Sequence, residues 1–292
     1  MHPDRRRRTR ELASLAREER WEEAYRRLAL YEFGHEIRMG LQLAFLRPFC
    51  TPRMARTLID AGTLVADPLK RAYDTGLIIY ECIANGLDSP AGRKMIGVMN
   101  RAHRGRGIED EDMTYVLCAF IVCPLRYTEW TGWRPLSDVD KNASLNFYRQ
   151  MGRLMNIKVL PETYSEAERI LDDYEAANVV PSPEARTLGD SLMSVLRDRL
   201  PGPVRPFARP LFTVLIDQPD VSRALGYSPL PAPAQASMRA LGRFYGRVNR
   251  ELAPSTEPVF EPGNKAGKAY PHGYTLDDLG PRDVRVRGTE SG

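Results

Sequence analysis

Histidine and cysteine are scarce in this chain, which has four of each among 292 residues. The cysteines are Cys50, Cys82, Cys118 and Cys123. Their spacing matches neither a CxxC motif nor a zinc-ligand pattern. Three of them lie in apolar surroundings, so we expect buried free thiols in a reducing compartment. Chemistry that requires an imidazole has few candidates, which are His2, His35, His103 and His272.

The chain also lacks an excess of charge of one sign and a long apolar run. It carries 42 Lys and Arg against 38 Asp and Glu, a net charge of +4. No RNP, zinc-finger or heptad pattern accompanies that charge, so we expect no nucleic-acid partner. The longest uncharged stretch of the apolar centre, Met113 to Leu125, has thirteen residues, whereas a membrane-spanning helix needs about 20. The N-terminal segment contains the charged run Arg5–Arg8, whereas a signal peptide has an apolar run in this region. We predict a cytoplasmic protein whose four arginines lie in a disordered end.

Motifs of common enzyme classes are missing as well. The chain has no G-x-S-x-G, no Walker loop, no H-E-x-x-H and no G-x-G-x-x-G after a strand. Nothing in the sequence argues for a Ser–His–Asp hydrolase. Any chemistry must therefore be inferred from individual residues on individual elements.

Helical periodicity dominates the chain, and alternating strand patterns are hard to find. A long helical stretch from Arg10 to about Arg47 is broken near Gly34. Further helices are expected at 52–61, 69–85, 90–104 and 110–123 (ended by Pro124), after capping boxes at Ser137/Asp140 and Ser165/Glu168, and at about 183–200, 206–217 and 234–252. We predict one all-α domain over residues 1–253. Residues 254–292 are predicted to be an extended Pro- and Gly-rich tail that wraps the domain and ends in disorder.

One helix carries a histidine on an apolar face. Met95, Ile96, Met99 and His103 recur at intervals of three and four, which places His103 at the C-terminal end of an apolar stripe. A lone histidine in such a place is more often a core or helix-end residue. The alternative is an axial haem ligand, because a porphyrin needs apolar walls and one imidazole nitrogen, and Met99 suits such a pocket.

The preceding helix places three polar residues on one face. Arg71, Asp74 and Thr75 stand at i, i+3 and i+4. A solvated surface ion pair between Arg71 and Asp74 is one interpretation, with a contribution below about 1 kcal/mol. The other is a polar patch inside an apolar site, which is typical of binding or catalysis. The pattern alone leaves both interpretations open.

Ordered segments of the chain resemble a known family. They are KRAYDTGLIIYE (70–81), MNRAHRGRGIEDEDMTYVLCAF (99–120), WRPLS (133–137), MGRLMNIKVLP (151–161), ALGYSP (224–229) and YTLDDLGP (274–281). This set is similar to the MpaB-like oxygenases, within the wider group of rubber-oxygenase (latex-clearing-protein) catalytic domains. The resemblance covers roughly residues 24 to 281.

The resemblance implies an all-α, globin-like domain that holds haem b. His103, in RAHR, matches the proximal iron ligand, and Arg71 and Thr75 match the residues that line the oxygen-binding side. Rubber-cleaving members have a Lys immediately before that Thr, whereas this chain has Asp74, an anion that could pair with Arg71 or relay protons. This difference argues against rubber as the substrate. Asp60 and Asp67 do not match the family's proposed base, so the base stays unassigned.

We therefore predict a haem-dependent oxygenase with His103 and Met99 at the cofactor and Arg71, Asp74 and Thr75 as catalytic residues. Its partners would be dioxygen and a small hydrophobic substrate, an alkene in an isoprenoid chain or a natural product that is cleaved or oxidised. A haem-binding sensor or carrier without turnover is the first alternative. A helical interaction protein that binds no haem is the second. The sequence does not predict an oligomeric state.

Overall fold

The computed structural model describes residues 1–62, 67–199, 201–216 and 218–280. Its helices are α1 (Pro3–Arg17), α2 (Trp21–Arg27), α3 (Gly34–Leu46), α4 (Pro52–Asp60), α5 (Pro68–Asn85), α6 (Pro90–His103), α7 (Asp110–Thr131), α8 (Asp138–Leu154), α9 (Tyr164–Asn178), α10 (Pro183–Arg199), α11 (Ala208–Leu215), α12 (Pro219–Ala224) and α13 (Ala232–Glu251). Within these residues no strand forms, and only isolated β-bridges occur, between residues 266 and 273. The predicted single all-α domain is confirmed.

The N-terminal helices depart from the prediction in two ways. Arg5–Arg8 were expected in a disordered end, but they belong to α1, and Arg5 is buried with its guanidinium 4.8 Å from the ring centroid of Trp133. Stacking on the indole ring offsets part of the free-energy cost of removing the guanidinium from water. The helical stretch is also interrupted between α1 and α2, and again by a π-helical turn just before Gly34. The predicted break near Gly34 is confirmed.

The long helix α7 runs through the centre of the protein and does not end at Pro124 as predicted. It continues to Thr131, and its last turns bury Leu125, Thr128 and Thr131. An interior proline costs about 3 kcal/mol, and we attribute its tolerance to this burial and to a close fit with α3. Gly40 of α3 approaches so closely that a Cβ there would overlap the backbone of Pro124.

Helix caps explain where several helices begin. Ser89 accepts a hydrogen bond from the backbone N–H of Gly92, which starts α6 as predicted. The capping box of Ser137 and Asp140 is present at the start of α8. The predicted box at Ser165 and Glu168 is wrong, because α9 begins two residues earlier with Thr163 as its N-cap. The short helix α12 was not predicted.

The buried side chains form two apolar clusters. One joins α1–α3 to α5–α9 and includes residues after α13, while the other lies between the end of α3, α4 and α10–α12. All four cysteines are buried free thiols, as expected. No described helix is long and apolar enough to cross a bilayer.

Residues 254–280, the described part of the tail, follow α13 and pack against α5. Tyr270, Tyr274 and Leu279 are buried in the first cluster. Val259 contacts Gly34 at the start of α3, and its N–H donates to the carbonyl of Leu30. The division of the chain at residues 253 and 254 stays a prediction. The predicted disorder of the last residues concerns 281–292, which lie outside the described residues.

Candidate functional site

A deep cavity opens between the central helices. Its walls come from α4, α5, α6, α7 and α8, and its volume is about 200 Å³. Most of the lining is apolar, and its aliphatic and thioether side chains include Met54, Leu58, Ala61, Ile78, Ile79, Val98, Met99, Ala102, Ile108, Met113, Val116, Leu117, Met151, Met155 and Ile157. The cavity therefore offers mainly apolar contacts to any group that it holds.

His103, at the last position of α6, lines this cavity. Its Nδ1 lies 2.7 Å from the carbonyl oxygen of Met99. A carbonyl can only accept, so Nδ1 carries the proton and Nε2 keeps its lone pair. Burial lowers the pKa of His103, and the nearby cations Arg71 and Arg106 lower it further, while the Met99 hydrogen bond opposes them. The ring is therefore a neutral imidazole with one nitrogen ready to ligate.

Arg71 and Thr75 reach the same cavity from α5. A guanidinium N–H of Arg71 donates to the hydroxyl oxygen of Thr75, and that hydroxyl donates to the carbonyl of Arg71 at 3.2 Å. Burial lowers the pKa of Arg71, although Asp74 opposes this shift. Within the described residues no carboxylate lies within 4.0 Å of the guanidinium nitrogens of Arg71. An arginine stays protonated in proteins, so the cavity wall carries a partly buried, incompletely compensated positive charge.

Asp74 does not join Arg71 and Thr75 in lining the cavity. Its carboxylate is 2 % exposed and accepts hydrogen bonds from Lys70 Nζ at 2.5 Å, from the Tyr270 hydroxyl at 2.5 Å and from the Gly280 N–H at 3.2 Å. The predicted pairing with Arg71 is thus replaced by contacts with Lys70 and the tail. The interpretation as a solvated surface ion pair is wrong. The predicted catalytic role of Asp74 stays a prediction.

The methionines of α6 divide between core and cavity. Met99 lines the cavity one turn before His103, as predicted for a cofactor pocket, while Met95 is fully buried and does not contribute to the lining. The described residues contain no cluster of three or more His, Cys, Asp or Glu side chains that could hold a metal ion.

Two charged residues of the lining were not predicted. Arg106, three residues after His103, is exposed and lines the cavity. The basic run of residues 101–106 at the C-terminal end of α6 is the sequence signal that could have indicated a cation near His103. Asp112 is buried at the start of α7, where it pairs with Arg53 at 2.6 Å and accepts from the hydroxyl of Tyr174. Nothing in the local pattern distinguishes it from other acidic residues of a first helical turn.

A second apolar cavity adjoins the first. It lies among α3, α5, α10, α11 and the tail, and four residues line both cavities, namely Phe45, Thr75, Ile79 and Phe120. Thr75 is the polar member of this shared wall. A ligand in the second cavity would therefore approach a residue that also lines the His103 cavity.

Comparison with known proteins assigns the family. A family model described as "ER-bound oxygenase mpaB/B'/Rubber oxygenase, catalytic domain" matches residues 33–247. The chain belongs to this family. The match runs from just before α3 into α13 and includes Arg71, Thr75 and His103, so the resemblance that the ordered segments indicated is confirmed. The family is one of oxygenases, which are oxidoreductases.

Curated relatives in fungi agree with this assignment. "ER-bound oxygenase mpaB'" of Penicillium brevicompactum is 25% identical over 91% of this chain and 79% of its own length. "ER-bound oxygenase mpaB" of the same species is 27% identical over 90% of this chain and 78% of its own length. The protein of that name from Penicillium roqueforti (strain FM164) is 25% identical over 72% of this chain and 76% of its own length.

Proposed function

We propose that this chain is a haem b-dependent oxygenase that uses dioxygen to cleave or oxidise an alkene in an isoprenoid or natural-product substrate. The observation that carries the proposal is the neutral imidazole of His103, held by the Met99 carbonyl, in an apolar cavity that also contains Arg71 and Thr75. Membership of an oxygenase family supports the reaction class.

The residues present fit a haem. The donor set is a single imidazole whose Nε2 is unprotonated, which is what an axial ligand requires when a porphyrin supplies the other donors. Met99 and Ala102 offer apolar contact next to it, and the exposed cation of Arg106 suits a carboxylate side chain of the cofactor. When bound, haem iron supplies the activation of dioxygen.

The chain's own residues would bind and orient the substrate, and they would exclude water from it. Arg71 would place N–H donors in a partly buried wall, where they could stabilise negative charge that develops on an oxygen atom. Thr75 would position Arg71, because its hydroxyl oxygen accepts from the guanidinium. The surrounding aliphatic side chains keep water out and lower the local dielectric. The adjoining second cavity offers apolar space for a hydrophobic chain whose double bond lies near Thr75.

The compartment is proposed to be the cytoplasm. Four buried free thiols are in keeping with a reducing environment. The fungal relatives are named as ER-bound.

The first experiment is an absorption spectrum of the purified protein with and without haemin. We expect the wild type to give a stoichiometric Soret band that His103→Ala loses or shifts. His272→Ala is the matched control, because His272 is exposed in the tail, and its spectrum should equal that of the wild type. A His103→Ala protein that retains full haem and full activity would overturn the assignment, as would a wild type that binds no haem.

A second measurement separates an oxygenase from a sensor or carrier. Product formation from candidate alkenes is expected in the wild type. Arg71→Gln should keep the haem spectrum but lose about 10²-fold or more in turnover, the typical effect of removing one preorganised donor. Haem binding without any alkene product from a broad substrate panel would favour the sensor.

A further inference from the structure

The second cavity, among α3, α5, α10, α11 and the tail, is larger than the cavity that contains His103. Its volume is about 440 Å³, against about 200 Å³ for the first. Pockets for small-molecule ligands measure roughly 300–1,000 Å³. Most of its wall is apolar, and Leu46, Phe212 and Ile216 are buried members of that wall. A hydrocarbon chain therefore fits both the volume and the lining of this cavity.

Gly76 widens the second cavity on the side of α5. It lies inside that helix, where glycine is destabilising relative to alanine. No atom lies within 4 Å of the position that its Cβ would occupy, so close packing does not require a glycine here. Gly76 lines the second cavity and directly follows Thr75, which lines both cavities. The missing side chain therefore leaves room for a ligand next to the shared wall.

Two cations line the second cavity from different elements. Arg38 belongs to α3 and Lys265 to the tail, and both are exposed. Arg38 donates to Nδ1 of His35 at 3.2 Å. Glu261, four residues before Lys265, accepts instead from the side-chain amide of Asn264. None of the described residues that line the cavity is acidic, so its two positive charges have no anionic partner in the wall.

Tyr80 adds a buried hydroxyl to the same wall. It is 6% exposed, and its ring stacks on Phe260 of the tail with the centroids 5.0 Å apart. Among the described residues, no hydrogen-bond partner is found for its hydroxyl. Burial raises the pKa of Tyr80 and Tyr25 raises it further, whereas the nearby charge of Arg38 lowers it. The hydroxyl is thus a protonated donor near Arg38, and a ligand that accepts from it would satisfy a buried polar group.

The face of α3 that lines the cavity sets a distance along the ligand. Arg38, Gln42 and Phe45 stand at i, i+4 and i+7, so they share this face. Arg38 and Gln42 are exposed, whereas Phe45 belongs to the wall shared with the first cavity. Seven residues at a rise of about 1.5 Å each separate Arg38 from Phe45 by about 10 Å along the helix axis. An anionic group at Arg38 would therefore lie about 10 Å from the first cavity.

We propose that the second cavity binds a long-chain carboxylate, with its head at Arg38 and Lys265 and its chain directed towards Thr75. A carboxylate accepts two parallel hydrogen bonds from a guanidinium, and the Tyr80 hydroxyl supplies a further donor. A neutral hydrocarbon would leave all three groups without a partner. That such a carboxylate is the substrate, with its double bond about 10 Å from the head, rests on the proposed function, whereas the binding site itself does not.

The test is calorimetric titration of the full chain with oleate below its micellar concentration, compared with the neutral oleyl alcohol. We expect the wild type to bind oleate about tenfold more tightly than the alcohol. Arg38→Gln with Lys265→Gln should remove this preference and leave the affinity for the alcohol unchanged. Tyr80→Phe should weaken oleate binding about fivefold without lowering the thermal midpoint, because its hydroxyl has no partner in the described chain.

Filling the cavity tests its apolar part. Gly76→Leu places a side chain in open space on α5, so we expect an unchanged or higher thermal midpoint and at least about tenfold weaker binding of both probes. The matched control is Lys158→Gln with Arg169→Gln, two exposed positions that line neither cavity. This control should bind both probes like the wild type.

Three results would overturn the inference. They are equal affinity of the wild type for oleate and oleyl alcohol, an Arg38 and Lys265 double variant that binds oleate like the control, and an oleate affinity that falls with Arg106→Gln instead, which would place the head in the first cavity. His103→Ala should bind oleate like the wild type. A wild type that binds oleate but no haem would overturn the proposed function and support the carboxylate site.

Discussion

Replacing Asp74 with alanine tests what this buried carboxylate does. Asp74 accepts hydrogen bonds from Lys70, Tyr270 and the Gly280 N–H, and truncation leaves all three donors without that acceptor. Each buried donor that loses its partner costs about 1–3 kcal/mol. Lys70 costs least, because it is 17% exposed and also donates to the carbonyls of Asp278 and Gly280. We expect Asp74→Ala to lower the free energy of unfolding by about 3–5 kcal/mol.

Urea unfolding followed by circular dichroism measures this loss. Tyr270→Phe removes one hydrogen bond to a charged acceptor and should cost about 1.5–3 kcal/mol. Combined with Asp74→Asn in a double-mutant cycle, it should reveal a coupling energy of about 0.5–3 kcal/mol. Asp173→Ala, at an exposed position of α9, is the control and should change stability by less than about 0.5 kcal/mol.

One outcome would refute this reasoning. If Asp74→Ala unfolds within about 0.5 kcal/mol of the wild type, the contacts between α5 and the tail do not contribute as the geometry indicates. If stability is unchanged while turnover is lost, Asp74 acts in the reaction itself, as the family resemblance implied. A loss of stability together with an altered haem spectrum would mean that Asp74 positions α5, and with it Arg71.

Two further perturbations test the packing and the electrostatics of the core. Gly40→Ala should destabilise the protein by about 1–3 kcal/mol or more, because its Cβ would overlap the backbone of Pro124. Gly76→Ala has no atom near its Cβ and should stabilise α5 by up to about 1 kcal/mol. Thermal unfolding compares the two variants. Burial raises the pKa of Glu36 above its usual value, so the folded state holds that proton more tightly than the unfolded state and this group's contribution to stability falls as the pH rises. Glu36→Gln should therefore raise the free energy of unfolding at neutral pH, with a gain that disappears below about pH 4.5, and urea unfolding across that pH range would contradict this if the gain grew as the pH fell.

Local sequence signals predicted the helices well where they begin and end with short-range contacts. The cap at Ser89, the capping box at Ser137 and the break near Gly34 all involve residues within a few positions of each other. The periodicity that placed His103 at the end of an apolar stripe is of the same kind. Such signals depend on helical geometry alone, so they can be found without knowing the tertiary structure.

The failures of prediction depend on contacts between distant segments. A proline normally ends a helix, and we attribute the continuation of α7 to the burial of its last turns and to the close fit of Gly40 against Pro124. Asp74 shares a helix face with Arg71 by spacing, but one of its oxygens accepts from Tyr270, 196 residues away, and the other from Lys70 and from the N–H of Gly280. Whether a polar side chain of α5 bonds to the tail depends on the residues of the tail. The pattern within α5 does not contain those residues.

The distance along the chain between α5 and the tail has a consequence for synthesis on the ribosome. The Tyr270 and Tyr274 hydroxyls bond to Asp74 and Glu81 across 196 and 193 residues. At a translation rate of about 5–20 residues per second, a nascent α5 waits about 10–40 s for these partners. Throughout that interval two carboxylates that are buried in the finished protein lack their tyrosine partners. The wall that carries Arg71 and Thr75 is thus among the last parts of the described chain to be completed.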